Sequence, residues 1–101
     1  MRMLLHVTFP LEPFNTYVKD GTAGAKMKRI LDEMKPEAAY FMDSNGQRSG
    51  MLFFHMDHTW QIPAYAEPWF LIFHANCHFK PVMNPEDLGK AGLDALGKKW
   101  A

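Results

Sequence analysis

Apolar residues occupy every second position over residues 3–9, at Met3, Leu5, Val7 and Phe9, and this spacing predicts a β-strand with one apolar face. From Phe14 the spacing becomes helical, and Gly21 interrupts it. A second amphipathic helix follows, with apolar residues at positions i, i+3, i+4 and i+7: Met27, Ile30, Leu31 and Met34. Pro36 disfavours helical geometry in the residue before it, so we expect this helix to end near Lys35.

Two further strands, over residues 38–43 and 51–57, flank an Asn45-Gly46 turn. Asn-Gly is the strongest short signal for a β-hairpin, because a type I′ turn needs positive φ at both central residues. This turn fixes which residues face each other across the hairpin. The predicted pairs are Asp43–Arg48, Met42–Ser49, Tyr40–Met51 and Ala38–Phe53.

Helical spacing returns over residues 62–74, and a fourth strand is predicted over residues 76–82. Because proline disfavours a helix interior, Pro68 predicts a break or kink near Glu67. A last helix begins with the cap Asn84, and its three glycines make it weak, so it needs a surface to lie on.

The order of elements is β-α-β-β-α-β with an added terminal helix. This order predicts an α+β, ferredoxin-like domain over residues 1–83, with a four-stranded antiparallel sheet and both helices on one side. Residues 84–101 form a helical tail that packs on its own domain or on a partner. The sheet face opposite the helices carries apolar side chains, so we expect a homodimer in which two sheets meet around a pocket.

Composition narrows the class of protein. A chain of 101 residues, 48% hydrophobic, has the size and composition of one globular domain. A net charge of zero argues against a nucleic-acid partner. The single cysteine, Cys77, excludes an internal disulfide. No apolar stretch is long enough for a membrane span and no secretion signal is visible, so a cytoplasmic protein is expected.

Strand parity places one set of polar side chains on the sheet face opposite the helices. The candidate catalytic residues are His55, Tyr40, His78 and His6. The candidate binding residues are Met42, Met51, Phe53 and Asp57. Imidazole can exchange protons near neutral pH, and an apolar pocket with a few convergent polar groups is the usual form of a binding site. The favoured catalytic residue is His55, because its strand is central in this topology.

Three alternatives remain open for the same residues. They could be inert polar groups at a dimer or assembly interface. His55 and Asp57, with His6 or His78, could form a two-histidine, one-carboxylate metal site. One histidine in an apolar cavity could also bind haem. The leading hypothesis requires no cofactor and takes a small aromatic or hydrophobic ligand.

The element order, the apolar second sheet face and the runs Glu67-Pro68-Trp69 and Phe79-Lys80-Pro81-Val82 resemble a family of small bacterial proteins of unknown function. That family belongs to the dimeric α/β-barrel superfamily, and the resemblance covers residues 1–83. It implies a dimeric barrel. The superfamily includes cofactor-independent monooxygenases, muconolactone-isomerase-like enzymes, haem-degrading proteins and chlorite-dismutase relatives. The resemblance thus implies acid–base or oxygenase chemistry on an aromatic or polyketide-like ligand. No catalytic motif of these enzymes is intact here, so no catalytic residue is transferred.

Overall fold

A four-stranded antiparallel sheet forms the centre of the protein. The computed structural model describes all 101 residues. The strands are β1 (Arg2–Phe9), β2 (Ala38–Ser44), β3 (Gln47–His55) and β4 (Asn76–Pro81). Their order across the sheet is β2-β3-β1-β4. This α+β architecture is consistent with the ferredoxin-like order, and it makes β1 and β3 the central strands.

Helices connect and extend the strands. They are α1 (Phe14–Asp20), α2 (Ala23–Met34), α3 (Ile62–Phe73), α4 (Pro85–Gly89) and α5 (Leu93–Lys99), and a 3₁₀ turn (Thr59–Gln61) precedes α3. Gly21 ends α1 in a left-handed conformation with φ 79°. Lys35 does the same for α2 with φ 49°, directly before Pro36. Both ends fall where the sequence predicted them, because they depend on local backbone rules.

The β2–β3 hairpin has the predicted register. Asn45 and Gly46 both have positive φ, at 54° and 80°. The four predicted cross-strand pairs, from Asp43–Arg48 to Ala38–Phe53, are all present. The turn therefore decides which hairpin side chains face the helices and which face away.

The hydrophobic core lies between the helices and one face of the sheet. Strand β1 buries every second side chain. The core cluster consists of Met3, Leu5, Val7, Phe9, Ile30, Met34, Leu52, Phe54, Met56, Trp69, Phe73 and Ala75. Phe73 is at its centre, with ring centroids 5.3 Å from Phe9 and 5.1 Å from Phe14. One side of the sheet is thus fully used for packing.

Of the break or kink predicted near Glu67, the break is wrong, because α3 runs without interruption through Pro68. Proline inside a helix costs about 3 kcal/mol through the lost hydrogen bond and the steric conflict with the preceding turn. Trp69 and Phe73 are completely buried on the same helix. Burial of each large apolar side chain contributes about 1.5–3 kcal/mol or more, so their packing outweighs the local cost of the proline.

The last predicted helix is divided in two. Gly92 has φ 70° and separates α4 from α5, since glycine adopts the left-handed conformation without a steric penalty. The predicted start of this helix at the cap Asn84 is confirmed, because Asn84 Oδ1 accepts a hydrogen bond from the Asp87 backbone N–H at 2.8 Å. Every residue from 88 to 101 is solvent-exposed.

Residues 84–101 form an arm that extends away from the domain, and we call this segment the C-terminal arm. The chain measures 60 × 28 × 20 Å, and its radius of gyration is 17.1 Å. A compact domain of this length has a radius of gyration of about 13 Å. Neither α4, α5 nor any other helix is both long and apolar enough to cross a membrane.

Substitution of Gly46 by alanine tests the turn. We expect Gly46→Ala to lower the free energy of unfolding by about 1–2 kcal/mol, because a side chain disfavours the left-handed conformation. Gly24→Ala, inside α2 with open space around it, is the matched control and should raise that free energy by about 0.5 kcal/mol. Urea denaturation measures both. Equal effects of the two substitutions would contradict this account of the turn.

Candidate functional site

The sheet surface that faces away from the helices, here called the open face, contains most of the candidate site. No residue of the hydrophobic core cluster comes from this side, and its central side chains are half-buried, except for Ser49, which is buried. The pairing of the strands arranges its side chains in transverse rows. The three complete rows are Met42–Ser49–Thr8–Asn76, Tyr40–Met51–His6–His78 and Ala38–Phe53–Leu4–Lys80.

Three of the four candidate catalytic residues lie in the middle row. Tyr40 pairs with Met51, Met51 with His6, and His6 with His78. Since neighbouring strands are about 4.8 Å apart, the backbones of Tyr40 and His78 lie about 14 Å apart. The row therefore places two imidazoles side by side, and separates them from the phenol by a methionine.

The two imidazoles differ in their surroundings. The His6 and His78 ring centroids are 6.5 Å apart, and the planes are tilted by 45°. His6 Nε2 is 2.7 Å from the Ser49 hydroxyl oxygen, and the tautomer decides which of the two donates. Ser49 is only 2% exposed. One nitrogen of His6 is thus fixed by a buried hydroxyl, while the His78 ring makes no hydrogen bond within the chain.

His55, the favoured catalytic residue, lies apart from this pair. It is the last residue of β3 and pairs with Arg2, four strand positions, or about 13 Å, from the middle row. Arg2 Nε donates to Glu37 Oε1 at 2.6 Å. This hydrogen bond lowers the pKa of Glu37, and the Arg2 charge and nearby His55 add to the effect. His55 therefore belongs to a charged group at the sheet end.

Asp57 is not on the open face. Strand β3 ends at His55, two residues earlier than predicted, and Asp57 follows in an exposed bend. Its backbone N–H donates to Gln61 Oε1 at 3.0 Å, and His58 N–H donates to the same oxygen at 2.9 Å. That side-chain acceptor turns the chain out of the sheet. The metal site suggested for His55, Asp57 and a third histidine is not assembled, because no three such side chains lie close enough to share an ion.

The apolar residues of the open face lie to one side of the His6–His78 pair, on β1, β3 and β2. Met51 and Phe53 are half-buried on the central strand β3, and Leu4 is half-buried on β1. Tyr40 and Met42 on the edge strand are 63% and 38% exposed. Together they form an apolar floor beside the histidines that is left uncovered in the single chain.

The main concave surfaces of the single chain lie away from the His6–His78 pair. One is a groove of about 460 Å³ between α2 and α3. The other, about 320 Å³, lies beside the hairpin and reaches the open face only at the Met42–Ser49 pair. Its lining residues are Phe9, Phe14, Met27, Phe41, Met42, Arg48 and Ser49. Neither groove includes His6 or His78. A chamber over the open face therefore needs a second surface to close it.

Ser49 and Cys77 lie on opposite faces of the sheet, and neither was a candidate site residue. Ser49 was not among the candidate residues, although the hairpin register places it opposite Met42 on the open face. Cys77 lies on the helix side of β4, where burial, aided by the Glu67 charge, raises the pKa of its thiol to about 11. At neutral pH this cysteine is a protonated thiol and a poor nucleophile.

Comparisons with known proteins add no assignment to this geometry. No family model matches the chain, and no curated protein is significantly similar to it. The interpretation of the open face rests on its side chains.

Removal of the Ser49 hydroxyl tests its role in holding His6. We expect Ser49→Ala to lower the free energy of unfolding by about 1 kcal/mol, and to change the nitrogen-15 shifts of the His6 ring. The control is Ser44→Ala, on the same face of the hairpin, where the serine side chain makes no hydrogen bond. Unchanged His6 ring shifts in Ser49→Ala would show that the hydroxyl does not orient the imidazole.

Proposed function

We propose that the protein is a cytoplasmic homodimer of the dimeric α/β-barrel type that binds a small aromatic or hydrophobic molecule between two open faces. The observation that carries this proposal is the middle row, where His6 and His78 stand beside uncovered apolar side chains. An antiparallel sheet can leave one face in water, but the side chains of that face are then mostly polar. Here Leu4, Met51 and Phe53 occupy central positions of the uncovered face.

Self-association is the economical way to cover this face. A two-fold dimer brings the same surface of each copy together, so one set of apolar residues covers the other. The net charge is zero, and no large charge opposes the approach of two copies. Half-buried His6 and Thr8, buried Ser49 and exposed His78 make the enclosed space polar at one end and apolar at the other. That combination favours a ligand with a flat apolar body and one polar group.

The histidines supply the chemistry that this site supports. His6 is oriented by Ser49, as a base is oriented by a hydrogen-bonded neighbour in many active sites. His78, 6.5 Å away between ring centroids, is free to take a proton from a bound molecule and return it. Tyr40 lies across Met51 on the same row and can donate a hydrogen bond to a carbonyl or phenolate oxygen. These roles describe proton transfer without a cofactor.

The dimer is tested by placing a charge in the middle row. At micromolar concentration the wild-type chain should sediment at twice its 11.6 kDa mass, and Met51→Glu should weaken self-association at least tenfold, because the sheet contact would bury unpaired carboxylates. Val18→Glu is the control, since Val18 is an exposed apolar residue on α1. Circular dichroism confirms that each variant is folded. A wild-type chain that sediments as a monomer would remove the chamber.

Ligand binding is tested with the fluorescent probe 8-anilinonaphthalene-1-sulfonate, which has an aromatic body and one polar group. We expect saturable binding to the dimer, weakened at least fivefold by His6→Ala and by Tyr40→Ala. Gln47→Ala, at the hairpin end of the same face, should leave probe binding unchanged. A stable dimer that does not bind the probe, or binds it equally well without His6, would favour a non-enzymatic assembly interface.

A further inference from the structure

The C-terminal arm exposes an apolar stripe that nothing in its own chain covers. Leu93 and Leu96 on α5 and Trp100 directly after it are spaced at i, i+3 and i+7 and are 58%, 43% and 77% exposed. Leu88 on α4 is exposed as well. Helices of five and seven residues are not stable in water by themselves, and most helical stability comes from packing of an apolar face. The arm therefore needs a surface to pack against.

Helix α3 presents an uncovered surface of matching character. Glu67 is its only charged residue, and a helix that is apolar all round is normally buried. Its inner side packs on the sheet, but Leu71 on the outer side is 73% exposed and Phe70 is 40% exposed. Beside Leu71 runs the groove of about 460 Å³, whose apolar walls are built largely from Ile30, Met34, Tyr65, Pro68 and Ile72.

The charges of the arm and of the groove are complementary. Arg29, Glu33 and Glu67 line the groove, and none of them forms an ion pair within the chain. Helix α5 carries Asp94 in its first turn and Lys98 with Lys99 in its last turn, also unpaired. On α5, Lys99 flanks the apolar stripe, whereas Asp94 and Lys98 lie on the far side of the helix, so an arm seated with the stripe in the groove brings Lys99 toward Glu33 and Glu67. Such complementarity fixes orientation and register at an interface.

From these observations we infer that the C-terminal arm of one copy packs into the α2–α3 groove of a second copy. The exchange is reciprocal: each arm fills the other copy's groove, which gives a closed two-fold assembly. The occupant is a second copy because the arm extends away from its own domain, along the 60 Å axis of the chain. The exchange uses a different surface from the open face, so it adds a second contact between copies to the proposed dimer.

Cross-linking between two different chains tests the inference. In a Cys77→Ser background, one chain carries Leu71→Cys in the groove wall, and a second, tagged chain carries Leu96→Cys on the arm. After mixing and mild oxidation we expect a mixed disulfide-linked dimer at a yield at least fivefold above the control. The control replaces Leu71→Cys with Lys28→Cys, on the solvent side of α2 and outside the groove. A yield no higher than the control would overturn the inference.

The same cysteines also separate exchange from folding back within one chain. When both are placed in one chain, exchange gives linked dimers, whereas an arm that folds back onto its own groove gives an internal disulfide and a monomer. A predominant monomeric product would replace the exchange with an internal contact. The monomer and the linked dimer are resolved by non-reducing electrophoresis.

Charge reversal provides a second test that does not require cysteines. The pair Glu33→Lys with Glu67→Lys, and the pair Lys98→Glu with Lys99→Glu, should each weaken self-association at least tenfold by sedimentation equilibrium. Combined in one chain, they should restore it to within threefold of the wild type. Reversals without effect would overturn the inference. Met51→Glu places a charge on the open face and disrupts the sheet contact. Cross-linking that persists in this variant would show that the exchange does not depend on the sheet contact, so the two proposals can fail separately.

Discussion

The amphipathic character of the central sheet is the constraint on which the rest of the structure depends. Side chains of a strand alternate between two faces, so a sheet packed by helices on one side uses only half of its residues for the core. Strand β1 commits Met3, Leu5, Val7 and Phe9 to that core. Its other side chains are left on a face that no helix covers. Both the stability of the single chain and the candidate site follow from this division.

Local signals account for the parts of the fold that were predicted from sequence. The Asn45-Gly46 turn fixes its own backbone conformation, and the register of the hairpin follows from it without knowledge of the rest of the chain. Two departures from the predicted elements have different causes, one a packing contact outside the local sequence and the other a single glycine. Packing of Trp69 keeps α3 continuous through Pro68, and the left-handed Gly92 divides the last helix. Periodicity reports which face is apolar, but it does not weigh a distant contact against a local preference.

In the candidate site, the sequence predicted the sheet face on which a residue lies but not its position along the strand. Parity alone placed His6, His78 and Tyr40 on one side of the sheet, and the structure has them in one row. Parity says nothing about distance along a strand, so it grouped His55 with residues about 13 Å away. It also extended β3 to Asp57, because the Gln61 side chain that turns the chain outward lies beyond the strand pattern. Ser49 was overlooked because the predicted strand began only at residue 51, and the contact of Ser49 with His6 depends on the pairing of β3 with β1.

The uncovered surfaces of this chain differ in the kind of specificity they can provide. The open face has few charges near its centre, so shape and hydrogen bonds at His6 and Ser49 would decide what fits against it. The arm and the α2–α3 groove carry unpaired charges of opposite sign beside their apolar residues. Apolar burial drives association without selecting a register, whereas opposed charges exclude misaligned pairings. A chain with both kinds of surface can build one defined assembly from two copies, and a chain with only the apolar face would associate with less order.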